Sequence, residues 1–408
     1  MSLPFEWGVA LRFLREGRAQ SVLILAGVSV GVGVIVFLTA LIDGLQNNLL
    51  ERTLGTQPHV VVRMPEEEPR ALQEAGEGEA IASRTVRPAQ RARSIVRWQQ
   101  VRSTVAGLPG VTSSTPLVSG AALAGRGTAS RSVALRGVEL ETFGPAFRLA
   151  ERMVAGQPAL AGAEALIGTQ LAADLGIAVG DRFRLTAGSG VAEVLTVRGL
   201  FDLGNRDLNQ RWVLVPLRTA QTLLELEGGV TSLELRLAEP FTANEAADVI
   251  AGRTGLVAES WMRTNQQLLL GLSAQRSSSN LIQVFVVVAV ALGISSVLVV
   301  SVVQKGREIG ILKAMGTSAR RVMGVFLVEG ALVGLVGSLI GLLMGVGLSL
   351  FFQSLARNPD GTAAFPFALT AELCLRTVAI ATVTGVLSAV VPARRAAKLD
   401  PIETIRYG

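Results

Sequence analysis

The sequence predicts an α-helical membrane protein with four transmembrane helices and a large α+β domain inserted between the first and the second. Three observations carry this. Half of the 408 residues are hydrophobic and 17% are charged, against about 25% charged in a soluble domain. Four runs of at least 20 residues hold almost no charge, and each is long enough to cross about 30 Å of hydrocarbon. Between the first two runs lie about 235 residues of short alternating and helical patterns, enough to bury a core of their own.

Composition also excludes several chemistries. There is one cysteine, Cys374, so no disulfide forms within the chain. With one histidine, His59, no His/Cys metal cluster can be assembled. His59 opens a Val-Val-Val run and reads as structural or solvated. The net charge of +6 does not mark a nucleic-acid footprint, because all three lysines, Lys305, Lys313 and Lys398, sit beside apolar spans and no basic stretch is interleaved with aromatics.

Residues 1–20 carry Arg12, Arg15 and Arg18 on a weakly amphipathic pattern, as expected of an interfacial helix on the inner surface. Residues 21–42 are uncharged and form span one. This run contains G-V-S-V-G around Ser29. That pattern matches a nucleophile elbow, but a mid-membrane serine without a histidine partner fits close helix packing better.

Residues 43–280 form the α+β domain, whose length predicts two lobes. Runs at 58–64, 132–138, 191–197, 212–216 and 232–237 read as strands, and 91–106, 165–175, 218–226 and 243–253 read as helices. Residues 65–90 switch from glutamates to arginines and read as a flexible, solvated insertion.

A polar-to-amphipathic helix from Trp261 runs into span two, residues 281–303. If continuous, it is a rod of roughly 60 Å at 1.5 Å per residue. Residues 304–321 follow as a short cytoplasmic helix with five cations, Lys305, Arg307, Lys313, Arg320 and Arg321, against one Glu308. Ile309, Leu312 and Met315 recur on one side, Gly316 suits a helix C-terminus, and Thr317 or Ser318 can cap the next helix. So ordered a connection between two spans reads as a handle on which another protein pushes.

Span three, residues 322–352, repeats glycine at Gly330, Gly334, Gly337, Gly341 and Gly345, which lets another helix approach closely. Glu329 is its only charge, near enough to the inner interface to stay hydrated or pair with a neighbour. An outer loop, 353–371, leads to span four, 372–391, whose outer end carries Glu372 and Arg376 at pairing distance along a helix. The tail, 392–408, returns to the cytoplasm, with Asp400, Pro401 and Glu403 placed to start a terminal helix. Twelve Lys and Arg lie in the three inner segments, which places both ends inside.

No catalytic motif is present. No lysine follows the glycine run of a P-loop, and the spans lack the charged ladder of an ion-driven carrier. A handle, a rod and an outer domain without an energy source point to a non-catalytic subunit driven by a separate ATPase.

Residues 307–316, R-E-I-G-I-L-K-A-M-G, with F-L-V-E-G at 326–330 and P-A-R-R-A-A at 392–397, closely resemble the FtsX-like permease family of ABC transporters. The segments I-D-G-L-Q-N-N at 42–48, I-G-T-Q-L-A at 167–172 and L-G-I-A-V-G-D at 175–181 resemble the MacB-like lipoprotein-releasing permeases LolC and LolE. The resemblance implies a mechanotransmission-type permease of the bacterial inner membrane with its large domain in the periplasm. It implies an ATPase-coupling role for Arg307, Glu308, Ile309, Leu312, Lys313, Met315 and Gly316. A LolD-like ATPase subunit would bind ATP and Mg, this chain holding no cofactor, and a second permease copy or paralogue would complete the assembly.

The implied cargo is an acylated lipoprotein passed toward a periplasmic carrier. The expected cavity residues are Leu38, Leu41, Ile42, Leu45, Leu281, Ile282 and Phe285. The LolC-type hook that recruits the carrier has no room at 185–194, a short turn here. Export of a small molecule or peptide, and transmission of force to a periplasmic partner without transport, are the alternative readings.

Overall fold

The structure, a computed structural model, describes residues 5–16, 18–66, 93–355 and 367–400. It comprises two compact units: residues 1–50 with 270–408, and residues 51–269. The first holds the helix bundle and the second the sheet domain.

In chain order the elements begin with α1 (Phe5–Glu16) and α2 (Arg18–Thr56). The domain follows with β1 (Val60–Arg63), α3 (Trp98–Ala106), β2 (Val111–Arg126), β3 (Ala129–Val138) and α4 (Leu140–Phe147). Next come β4 (Met153–Gly156), β5 (Glu164–Gly168), α5 (Thr169–Leu175), β6 (Arg182–Ala187), β7 (Ala192–Phe201) and α6 (Arg206–Arg211). It ends with β8 (Trp212–Pro216), α7 (Leu217–Leu223), β9 (Ser232–Leu237), α8 (Ala243–Thr254), β10 (Val257–Ser260) and α9 (Trp261–Thr264). The bundle resumes with α10 (Gln266–Gln304), α11 (Gly306–Ala314), α12 (Ala319–Leu355) and α13 (Ala371–Lys398).

The domain is built on one sheet of order β10-β1-β9-β2-β3-β8-β5-β7-β4, with β6 pairing both β2 and β7. Pairings are antiparallel except β3 with β8 and β5 with β7. The core packs α4 on the sheet: Phe143 and Phe147 stack at 4.2 Å, beside Trp212, Leu166 and Phe201. Arg136 reaches across β2 to Glu234 at 2.5 Å and lies 4.0 Å over the Trp212 ring, so this half-buried cation has both a carboxylate and a π face. His59 is buried, and its Nδ1 accepts the Leu237 N–H at 2.9 Å. Burial, and then the nearby Arg236, depress its pKa to about 4, so the ring stays neutral.

Several expectations change here. The helix read over 165–175 is β5 followed by α5. The run Ala165-Leu166-Ile167 is fully buried in the sheet, and only from Thr169 does the chain coil. Gly168 marks the switch, since a Cβ there would overlap the Asn209 backbone. The longest strand, β2, escaped prediction because it is rich in Ser, Ala and Gly, poor strand formers that its neighbours hold in place. The helix read from 91 begins at Trp98, because Ile95 instead bridges to Val230. The helix read to 226 ends at Leu223, and Glu225 takes φ +55°. The insertion read over 65–90 lies almost entirely outside the described residues, as do most of the outer loop and the terminal helix expected after Asp400.

The strands β6 and β7 form a tight hairpin with Gly190 at φ +92° and Ala187 N–H donating to Val191 C=O at 2.8 Å. The extended hairpin of the domain is β2–β3, paired from Leu117/Val138 out to Arg126/Ala129.

In the bundle, among the described residues, four helices are long and apolar enough to cross a membrane: those over Gln20–Gly55, Gln266–Gln304, Ala319–Leu355 and Ala371–Lys398. Each exceeds the apolar run that announced it. The fourth passes through Pro392, where the span was expected to end; that residue is buried inside the helix, which continues to Lys398.

Candidate functional site

The inner end of the bundle gathers the residues of the expected handle. The helix α10 stops at Gln304, and Lys305 takes φ −98°, ψ 12°, which turns the chain into α11. At the far end Gly316 adopts φ +92°. Its N–H donates to Lys313 C=O at 3.0 Å and the Thr317 N–H to Leu312 C=O at 3.1 Å. These two bonds are a Schellman cap, which requires a residue free to take positive φ. Ser318 C=O then accepts from Arg321 and Val322 as α12 begins.

One face of α11 is anchored. Gly306, Ile309 and Gly310 are buried, and Ile309 packs with Phe13 of α1, Phe326 of α12 and Ala393 of α13. Burying such an isoleucine contributes roughly 1.5–3 kcal/mol. Lys313 donates to the carbonyls of Ala397 at 3.0 Å and Leu399 at 2.5 Å, a cation on the unsatisfied C-terminal end of α13. Lys305 donates to Phe13 C=O at 3.1 Å, lies 3.9 Å over the Phe13 ring and stands 3.7 Å from Glu16.

The other face is open. Arg307, Glu308, Ile311, Met315 and Gly316 are exposed, with Met315 at 76%. The expected stripe Ile309–Leu312–Met315 is therefore divided: Ile309 faces inward, Leu312 is half-buried, and Met315 lies past the helix end on the outer side. Ile311, which periodicity did not single out, joins Met315 there. An exposed apolar pair flanked by Arg307 and Glu308, on an element tied to α1, α12 and α13, can receive a partner and pass a displacement to the bundle.

The glycines of α12 serve two neighbours. A Cβ on Gly330 would stand 2.5 Å from Gly385 C=O, and one on Gly334 would stand 2.7 Å from Ala381 C=O, both on α13. On Gly337, Gly341 and Gly345 it would instead meet Val28, Ser29 C=O and Val36 of α2 at 2.6–2.8 Å. Ser29, from the elbow-like motif, is buried and donates to Gly337 C=O at 3.1 Å, a helix-to-helix bond.

The seven expected cavity residues are split. Leu38, Leu41, Ile42 and Leu45 are half-buried on α2, whereas Leu281, Ile282 and Phe285 on α10 are 60%, 50% and 71% exposed. A narrow groove between α2, α10 and α13 is lined by others, among them Ile35, Val287, Ile380, Thr39, Gln283 and Arg376. Gln283 donates to Thr39 at 2.9 Å, and Gln20 to Val297 C=O at 2.8 Å, so glutamines tie α2 to α10. Their signal was a lone polar residue in or beside an apolar run. Arg376 makes no ion pair with Glu372; it turns into the groove instead. Glu329 is 3% exposed, and its Oε2 has no hydrogen-bond partner among the described residues. Among the described residues no group of three His, Cys, Asp or Glu could hold a metal ion.

Family models match both halves of the chain. Residues 21–253 match the MacB-like periplasmic core domain, and residues 280–401 match the FtsX-like permease C-terminal region. The lipoprotein-releasing system transmembrane protein LolC of Xylella fastidiosa is 24% identical over 99% of this chain and 99% of that protein. LolC of Neisseria meningitidis serogroup B is 24% identical over 98% of this chain and 99% of that one. The macrolide export ATP-binding/permease protein MacB of Agrobacterium fabrum is 30% identical over 44% of this chain and 25% of its own length. Among solved structures, the extracellular domain of the ABC-type transporter YknZ from Gram-positive bacteria aligns with TM-score 0.34 and 14% identity, covering 50% of this chain and 99% of that one.

Proposed function

The chain belongs to the family of ABC-transporter permeases with a MacB-like periplasmic core domain, and from that premise we propose that it extracts lipoproteins from the outer leaflet of the inner membrane. It is a multi-pass inner-membrane protein with its large domain in the periplasm. The observation that carries the proposal is the alignment with LolC, which spans both proteins end to end, whereas the alignment with MacB reaches a quarter of that longer protein.

In this reading a separate, LolD-like ATPase binds ATP and Mg and docks on the open face of α11. Closure of the ATPase pushes α11, and α10 carries the displacement outward as a rod of 39 residues, about 58 Å at 1.5 Å per residue. Its exposed apolar side, with Leu281, Ile282 and Phe285, faces a second permease copy or paralogue, and the cargo's acyl chains sit between them. Each buried CH₂ of such a chain gains about 0.8 kcal/mol, so an apolar surface alone holds a lipid anchor and a displacement of α10 releases it toward a carrier.

Photoreactive benzoylphenylalanine placed at Phe285 or Leu41 in cells tests this. Adducts with acylated lipoproteins are expected. Adducts with small peptides, or none while a cell-wall partner crosslinks to the domain alone, would replace lipoprotein release with export or with force transmission.

A further inference from the structure

At the inner end of the bundle a pocket of about 230 Å³ opens beside the turn from α10 to α11, lined by Glu16, Gln20, Ser301, Lys305, Glu308 and Glu329 among others. It holds three carboxyl groups and one ammonium, and at its rim Arg12 donates to Glu16 at 2.8 Å, which leaves Glu308 and Glu329 as the carboxyl groups without a bonded cation among the described residues. Lys305 is already engaged with Phe13 C=O, the Phe13 ring and Glu16; its charge acts on Glu329 through space, and no hydrogen bond joins the two. Glu329 is 3% exposed, and its Oε2 is buried with no hydrogen-bond partner among the described residues. A buried acceptor without a donor is costly, and native structures rarely retain one in the assembled state.

The missing partner is therefore a cationic donor, and its shape is constrained. The carboxyl groups are not clustered closely enough to hold a metal ion, no such group being found among the described residues. Acidic groups spread from rim to floor suit an extended side chain with its charge at the tip. Arginine fits best, because its planar fork can donate to Glu329 at the floor and pass Glu16 or Glu308 at the mouth. Glu308 belongs to α11 itself, so a protein seated on the open face of α11 is beside the entrance.

We propose that the ATPase subunit inserts a basic side chain, arginine by preference, into this pocket and engages Glu329. This rests on the reading of α11 as the helix on which the ATPase docks. The inserted cation would tie α1, α11 and α12 together at the Lys305 turn, so that a push on α11 moves α10 and does not flex the joint.

The test uses the permease reconstituted with its ATPase, in a Cys374→Ser background, labelled with the cationic thiol reagent aminoethyl methanethiosulfonate. A Ser301→Cys thiol reports the pocket, and a Met315→Cys thiol reports the open face of α11. The ATPase is expected to slow labelling at both positions by about tenfold or more, as a charge-assisted contact of this kind would. Glu329→Gln should restore labelling at the Ser301→Cys position while the Met315→Cys position stays protected. Glu16→Gln, at the exposed rim, should restore it in part and keeps the test open if Glu329→Gln fails to fold. Protection at position 315 with none at 301, or protection at 301 that neither Gln variant changes, would overturn the proposal and leave docking on α11 intact. An assembled complex that protects neither thiol would remove both.

Discussion

The helices α10 and α12 are nearly equal in length, 39 and 37 residues, and both are apolar, yet the bundle treats them differently. Along α12, backbone meets backbone: five glycines lie against α13 or α2, where a single added carbon would stand 2.5–2.8 Å from a neighbour. Along α10, Leu281, Phe285, Leu292 and Val303 are 60–75% exposed, and one side alone is held to α2, by Ile294 and Leu298 in a shared apolar cluster and by side-chain hydrogen bonds from Gln20 and Gln283. Close packing makes α12 a fixed post. Anchoring along one side only makes α10 a rod with an apolar side that the described residues leave uncovered.

That contrast can be broken most sharply at Gly341. Gly341→Leu forces a side chain into Ser29 C=O and Val32 and should cost about 3 kcal/mol or more, read by thermal unfolding of the detergent-purified chain. The domain supplies an independent reference through three of the four tryptophans, Trp98, Trp212 and Trp261. His59 titrates near 4 when folded and near 6.5 when unfolded. The unfolded chain takes up the proton first, so domain stability is full above about pH 6.5 and falls as pH drops toward 4, by roughly 3 kcal/mol at most. His59→Gln should flatten that slope in tryptophan fluorescence without touching the bundle. Lys313→Met, which uncaps α13, should cost about 1 kcal/mol in the same melts. Phe285→Ala on α10 should change the stability of the single chain by less than about 0.5 kcal/mol, because little around it is buried. A Phe285→Ala cost equal to that of Gly341→Leu would erase the distinction between post and rod.

What the sequence made legible follows from which forces are local. Four spans were readable because the bilayer demands long uncharged runs, and Gly316 was readable because a helix ending there requires positive φ. The glycine repeat announced close packing, but not that its first two members meet α13 and its last three meet α2, since helix rotation depends on partners far away in the chain. At α11 the spacing of Ile309, Leu312 and Met315 suggested one stripe. The cap at Met315–Gly316 cut it, and the buried Gly306 and Gly310 set the inward face instead. In the domain, Ala165-Leu166-Ile167 has the composition of a helix, and only pairing with β7 and β8 makes it a strand. Glu329 was visible as a lone charge, whereas its orphaned oxygen emerges only from the surrounding fold.

Coupling through α11 is tested most directly by the ATP hydrolysis of the assembled complex carrying Glu308→Arg or Gly316→Pro. The first reverses the charge on the open face. The second places proline, fixed near φ −65°, where the chain needs +92°. Both variants are expected to insert and assemble in the membrane yet lose stimulated hydrolysis. Full hydrolysis in both would contradict α11 as the point where the ATPase drives this permease.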